Sequence, residues 1–252
     1  MQTLGTYPMG AGDVPSASDR VSTLVDPTGI EAAEPLLVPD AASSVEIVYP
    51  QLGGLTPVKS SVMVVFRQTL LRADGEQRVT RTADVRLDRT DGSWTVTSID
   101  SIGGDSPSEP TVVSPAGKSV LDSATIDLPD SARWDIEAGR IDDRILRLLV
   151  ELARAHTLSV TVLASGHPYN VFEASSVSNH TLGRGVDIWA VDGEPVVLQQ
   201  HAGSPVQALV QGLLDRGAVT ELGSPWDLDG AGSSISFTNT VHEDHLHLAF
   251  DG

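Results

Sequence analysis

Two short segments hold most of the side chains able to do chemistry. Ser178 to Asp187 (SNHTLGRGVD) separates a histidine from an aspartate by six residues that include two glycines, and His242 to His247 (HEDHLH) packs three histidines and two acids together. Zinc in a hydrolytic site takes three protein ligands and keeps one position for water, and neutral imidazoles with a carboxylate are suitable donors. His180, Asp187 and one histidine of the pair His245 and His247 meet that count. Residues two apart on a strand share a face, so His245 and His247 would point the same way, with Glu243 and Asp244 just ahead of them as candidate proton acceptors. Gly183 and Gly185 let the backbone bend between two residues that must converge on one ion. Such an ion lowers the pKa of its water to about 7, so that a neighbouring carboxylate can take the proton as the oxygen attacks a carbonyl.

The pattern Ser-x-His-x-x-Gly-x-x-x-Asp, here Ser178, His180, Gly183 and Asp187, is followed near the C-terminus by Asp-His-x-His, here Asp244, His245 and His247. The two together resemble the zinc D-alanyl-D-alanine carboxypeptidases and dipeptidases, whose fold is shared with the murein endopeptidase and Hedgehog signalling domains. The resemblance spans roughly Ser159 to Asp251. It implies a Zn(2+) cofactor held by His180, Asp187 and His247, with Asp244 as general base and His245 helping to stabilise the oxyanion. It also implies a peptidoglycan-derived peptide as substrate and a bacterial-type protein of the cell envelope or extracellular space. Ser178 belongs to the first motif and is taken as a substrate-side residue. Family members often carry Arg or Gln after an upstream Ser-Gly pair to polarise the substrate carbonyl; here Ser165-Gly166 is followed by His167, which would take that place. Many members have Glu where Asp244 stands, and Gly185 occupies a site that is commonly Ala. Arg184, a cation beside the metal motif, is a candidate for a substrate carboxylate, although a salt bridge to a nearby acid is the commoner use.

Elements must hold these residues in place. Ile141, Ile145, Leu148, Leu149 and Leu152 recur at helical spacing opposite Arg144, Arg147, Glu151 and Arg154, which predicts an amphipathic helix over Asp142 to His156. A second helix is announced by Ser204 as N-cap and Pro205 at its first position, and it stops at Gly217. Strands are predicted at Ser159 to Ala164, Val186 to Val191, Val219 to Leu222, Ser234 to Thr238 and Leu246 to Phe250. Earlier in the chain, Ser60 to Leu71, Gln77 to Leu87 and Ser93 to Ile99 read as an antiparallel meander turned at Asp74-Gly75 and Asp91-Gly92, with Val45 to Tyr49 as an added strand. Helices and strands do not alternate in strict order, so the fold class is α+β. The expected organisation is a flexible lead-in at 1–43, a β-rich module at 44–102 with a structural or docking role, a Pro, Ser and Gly-rich linker at 103–122, and a zinc peptidase-like domain at 123–252. By the resemblance, this last domain has a small antiparallel sheet with flanking helices.

Composition narrows the alternatives. All seven histidines, His156, His167, His180, His201, His242, His245 and His247, lie in the last hundred residues, and there is no cysteine. That excludes thiolate metal sites, iron–sulfur clusters, Cys nucleophiles and disulfides. A formal charge of −18 argues against a nucleic-acid partner or a polybasic membrane surface. No run approaches the 18 or so apolar residues of a membrane span, and Met1 to Asp13 lacks the basic and apolar regions of a secretory leader. Neither a Walker loop, a dinucleotide fingerprint nor a Gly-x-Ser-x-Gly elbow is present, and there is no internal repeat. His156 reads as a helix C-terminal dipole partner, His201 as a loop residue, and His242 as too early for a ligand. The alternative function keeps the fold and the zinc without catalysis, as a cell-envelope binding or scaffold protein.

Overall fold

The computed structural model describes residues 1–25, 27–109, 111–230 and 235–252. Asp26, Pro110 and Ser234, within the expected lead-in, linker and penultimate strand, lie outside the described residues. The chain forms two compact units. The first comprises Met1–Asp105 with Pro129–Ser131 and Ser165–Pro168; the second comprises Ser106–Leu128, Ala132–Ala164 and Tyr169–Gly252.

The first unit is built on an antiparallel sheet in the order β1-β2-β3-β4, with β1 at Ala42–Leu55, β2 at Lys59–Arg72, β3 at Gly75–Thr90 and β4 at Ser93–Ile102. The turns are local chemistry. Asp91 and Gly92 both take positive φ (51° and 84°) between the paired residues Thr90 and Ser93, the two-residue hairpin that an Asp-Gly step favours. The expected lead-in carries regular structure. It forms helices α1 (Gln2–Gly5) and α2 (Val14–Val21) and a 3₁₀ helix (Pro27–Leu36), with the Asp13 carboxylate accepting from Ser16 N at 2.7 Å as the α2 N-cap. Leu4, Ala17, Val21, Ile30, Ala33 and Leu36 pack on Val45, Val64, Phe66, Ala83, Val85 and Ile99. An apolar sheet face needs a covering layer, and widely spaced apolar residues among Gly, Pro and Ser supply it here. This unit also buries a polar group: Asp84 accepts from the Ser61 hydroxyl and the Arg86 guanidinium, while burial pushes its pKa up against both.

The second unit combines helices with a seven-stranded mixed sheet of order β10-β9-β11-β7-β6-β5, where β8 (Glu194–Pro195) also pairs with β7. Its members are β5 (Ile126–Asp127), β6 (Leu158–Val162), β7 (Gly185–Val191), β9 (Glu221–Gly223), β10 (Ser236–Phe237) and β11 (Leu246–Ala249). The inner strands β9, β11, β7 and β6 are mutually antiparallel, whereas the edge pairs β5–β6 and β9–β10 are parallel, so the sheet is not purely antiparallel as expected. The expected linker is also partly structured. Helix α3 (Pro115–Leu121) is capped by Ser114, whose hydroxyl accepts from Gly117 N, and its Val120 is buried in the core of this unit.

Helix α4 (Asp130–Glu137) precedes α5 (Asp143–Leu152), the predicted amphipathic helix, which begins one residue after its cap Asp142 and ends before His156. His156 instead turns to Asp192, 2.8 Å from its Nδ1. Helix α6 (Pro205–Asp215) is capped by Ser204 and followed by Gly217 at φ 59°, as the sequence predicts. Ile145, Leu148, Leu149 and Leu152 of α5 and Val206, Leu209, Val210 and Leu213 of α6 share one core with Val160, Val186, Ile188, Leu246 and Leu248 from the sheet. With Val186, Ile188, Leu246 and Leu248 committed to that core, strand alternation turns Asp187, His245 and His247 to the other face.

Candidate metal centre

Asp187 and His247 are direct cross-strand partners in the β7–β11 pairing. Gly223 of β9 lies opposite His247 on its other side, where a side chain would strike the His242 ring. The third residue of the group, His180, comes from the turn that feeds β7. Ser178 organises that turn: its hydroxyl accepts from His180 N at 3.2 Å and its carbonyl from Leu182 N at 3.3 Å. Gly183 then adopts φ 69°, and a Cβ there would collide with the Arg140 carbonyl, so only glycine closes this turn without strain.

The geometry converges on one point. His180 Nε2, Asp187 Oδ1 and His247 Nδ1 form a triangle with sides of 3.1, 3.2 and 2.8 Å. Arms of 2.0–2.1 Å around a tetrahedral ion place neighbouring ligand atoms about 3.3 Å apart, so the three donors stand close to a metal's requirement. All three are at least largely buried.

Proton bookkeeping points the same way. His180 Nδ1 lies 2.8 Å from the Leu163 carbonyl, which only accepts, so that nitrogen carries the hydrogen and Nε2 presents a lone pair. The lone pair faces a carboxylate oxygen and a second imidazole nitrogen. Three electron-rich atoms in a buried triangle are stable only around a cation, whether metal or proton. Burial alone would raise the Asp187 pKa, yet the surrounding imidazoles His180, His245 and His247 hold it well below the usual carboxylate range. Burial likewise opposes the charged form of His247, but the hydrogen bond to Asp187 and the nearby Glu221 carboxylate prevail and raise its pKa to about 10. A proton on His247 is thus the metal-free protein's way of holding the cluster together.

Around the triangle stand further groups. His245 is buried, with Nδ1 2.7 Å from Asp244 Oδ1 and Nε2 3.8 Å from Asp187 Oδ2. His242 stacks between Phe237, His245 and His247, at ring separations of 4.8, 5.2 and 5.9 Å. Burial, with the nearby charge of His245 and His247, lowers its pKa to about 3, so it is a neutral ring at physiological pH. Glu243 is exposed.

The remaining expected site residues lie outside the triangle. The Ser178 hydroxyl is engaged on the ligand turn itself. Arg184 extends beside Gly252 and adds its charge to the field at Asp142. His167 belongs to the short segment grouped with the first unit, and its Nδ1 lies 2.8 Å from the Pro168 carbonyl. Sequence reasoning missed Glu221, whose carboxylate lies 3.8 Å from His247 Nε2 and whose pKa is lowered chiefly by the neighbouring His247. Its only signal was an acid within the short β-type run Val219 to Leu222. No protein-family model matches the chain, and no curated protein matches it.

Proposed function

We propose that the second unit is a zinc-dependent peptidase acting on peptidoglycan-type peptides that contain D-amino acids, similar to the D-alanyl-D-alanine carboxypeptidases and dipeptidases. The observation that carries this reading is the convergence of His180 Nε2, Asp187 Oδ1 and His247 Nδ1, a set of three protein donors of the kind found in hydrolytic zinc sites, immediately beside the Asp244–His245 pair. Two imidazoles and one carboxylate without thiolate fit Zn(2+).

When bound, the ion supplies a Lewis acid that polarises a carbonyl and lowers the pKa of water to about 7. Asp244, partly accessible, accepts the proton from the attacking water and returns it to the leaving amine. Asp244 accepts from His245 Nδ1, which fixes the carboxylate and directs the histidine's other nitrogen toward the ligand side, where the ring, once it carries a second proton, would stabilise negative charge developing on the carbonyl oxygen. The half of the site made by β7 and β11 is rigid because its opposite face is the packed core, which holds the reacting groups in register.

The test is product analysis by mass spectrometry after the zinc-loaded chain is incubated with a muropeptide mixture. Loss of a terminal D-Ala, or cleavage of a cross-link, is expected from the native chain. Asp244→Ala should keep one zinc per chain and lose hydrolysis by about a hundredfold or more. Wild-type rates in that variant would remove Asp244 from the base role, and unchanged substrates with the native zinc-loaded chain would remove the peptidase reading.

A further inference from the structure

Glu221 sits apart in sequence from both metal-binding segments, on the short strand β9. In the β9–β11 pairing Glu221 lies opposite Ala249, two residues beyond His247, so its side chain leaves the sheet on the same face as His247. One carboxylate oxygen, Oε1, faces His247 Nε2 at 3.8 Å; the other, Oε2, accepts from Asn179 Nδ2 at 2.7 Å. Asn179 directly precedes His180. Glu221 therefore bridges the two segments that carry the imidazole donors.

We infer that Glu221 is a positioning residue of the metal centre, fixing the His247 ring so that Nδ1 points at the ion, with Asn179 fixing Glu221 in turn. The inference rests on the metal-centre reading above. Its physical basis is tautomer control. His247 can offer Nδ1 as a lone pair only if Nε2 carries the hydrogen, and a carboxylate placed at Nε2 selects that tautomer and stiffens the ring against rotation. His180 is handled in the mirror sense: the Leu163 carbonyl takes Nδ1–H, so that Nε2 turns its lone pair to the cluster. Each imidazole donor thus has one dedicated acceptor, a backbone carbonyl for His180 and a carboxylate for His247. The 3.8 Å separation lies in the ion-pair range rather than that of a hydrogen bond, and ligation through Nδ1 is expected to shorten it by turning the Nε2–H onto Oε1.

The experiment uses the full chain with Zn(2+) and Co(2+) as probes, measuring zinc affinity by chelator competition and the visible d–d spectrum of the cobalt form. Glu221→Ala is expected to weaken zinc binding about tenfold to a hundredfold and to change the cobalt spectrum. Glu221→Gln, whose amide oxygen can still accept from Nε2–H, should restore most of the affinity. Asn179→Ala should show a smaller loss, and Glu194→Ala, an exposed glutamate on β8, none. Native zinc affinity and an unaltered cobalt spectrum in Glu221→Ala would overturn the positioning role and leave the metal centre standing. A native chain that takes up neither ion would overturn both. Should the alanine variant not fold, Glu221→Asp decides instead: a carboxylate one methylene short supports the role by weakening zinc, and refutes it by leaving affinity unchanged.

Discussion

At the scale of single residues, the cluster is defined by which atoms carry protons. Asp187 makes the sharpest case, because its Oδ1 faces both imidazoles at 3.1 and 2.8 Å and its charge is what attracts a cation to a buried place. Asp187→Asn keeps the volume but removes the charge and turns one side of the group into a donor. Zinc affinity should fall by more than about a hundredfold, exceeding the loss expected from removing an outer partner of a ligand, while circular dichroism stays native. An asparagine variant that titrates with zinc like the native chain would show that the carboxylate is not a ligand. At this scale the sequence was largely legible: the spacing within SNHTLGRGVD and HEDHLH located His180 and Asp187 and left His245 or His247 as the third, and the family resemblance chose His247. Glu221 was not, because its partner lies across a strand pairing, and strand pairing joins residues whose distance in sequence says nothing about contact.

At the scale of elements, legibility followed the strength of local signals. Ser204, Pro205 and Gly217 bound a helix because each settles a local backbone problem, and α6 starts and stops where they say. Asp91-Gly92 fixes a hairpin for the same reason. The first 43 residues carry one such signal, the Asp13 cap of α2, but α1, α2 and the 3₁₀ helix are too short to be stable by themselves and owe their order to the sheet face they cover. Two outcomes follow from the local geometry. Ser204→Ala removes an acceptor for Gln207 N in a fully buried cap and should cost about 1 kcal/mol, read as a lower midpoint in urea. The glycines of the ligand turn should separate. Gly183→Ala meets both a positive φ and the Arg140 carbonyl, so it should destabilise the second unit and abolish zinc uptake. Gly185→Ala meets no positive φ but places a methyl 3.2–3.3 Å from the His180 ring and backbone nitrogen, so it should fold and weaken zinc binding far less than Gly183→Ala. Equal behaviour of the two variants would mean that the turn does not set the position of His180.

At the scale of the whole molecule, a buried ionic cluster makes stability depend jointly on metal and pH. In the metal-free protein the His247 pKa is raised from 6.5 to about 10, so the stabilisation from its proton is fully present below pH 6.5 and is lost as pH rises through about 10. Zinc must displace that same proton to reach Nδ1. Between about pH 6 and 7, where the water on the ion keeps its proton, binding should therefore release close to one proton per ion, and affinity should fall roughly tenfold for each unit by which pH is lowered; above pH 7 the count should rise further. The two dependences have opposite sign. Raising pH weakens the metal-free fold while strengthening zinc binding, so the rise in melting temperature on adding zinc should grow steadily from pH 6 to pH 9. At a free zinc concentration a hundred times the dissociation constant the linkage is worth about 2.7 kcal/mol, enough to resolve by scanning calorimetry. Hydrogen exchange should place the added protection in residues 178–187, 221–223 and 245–249, the segments that carry the three donors and Glu221. Isothermal titration in two buffers of different ionisation enthalpy counts the released protons. A count near zero at pH 7.5 would mean that His247 holds no proton there, and with it would go the view that a proton and a metal ion compete for the same three atoms.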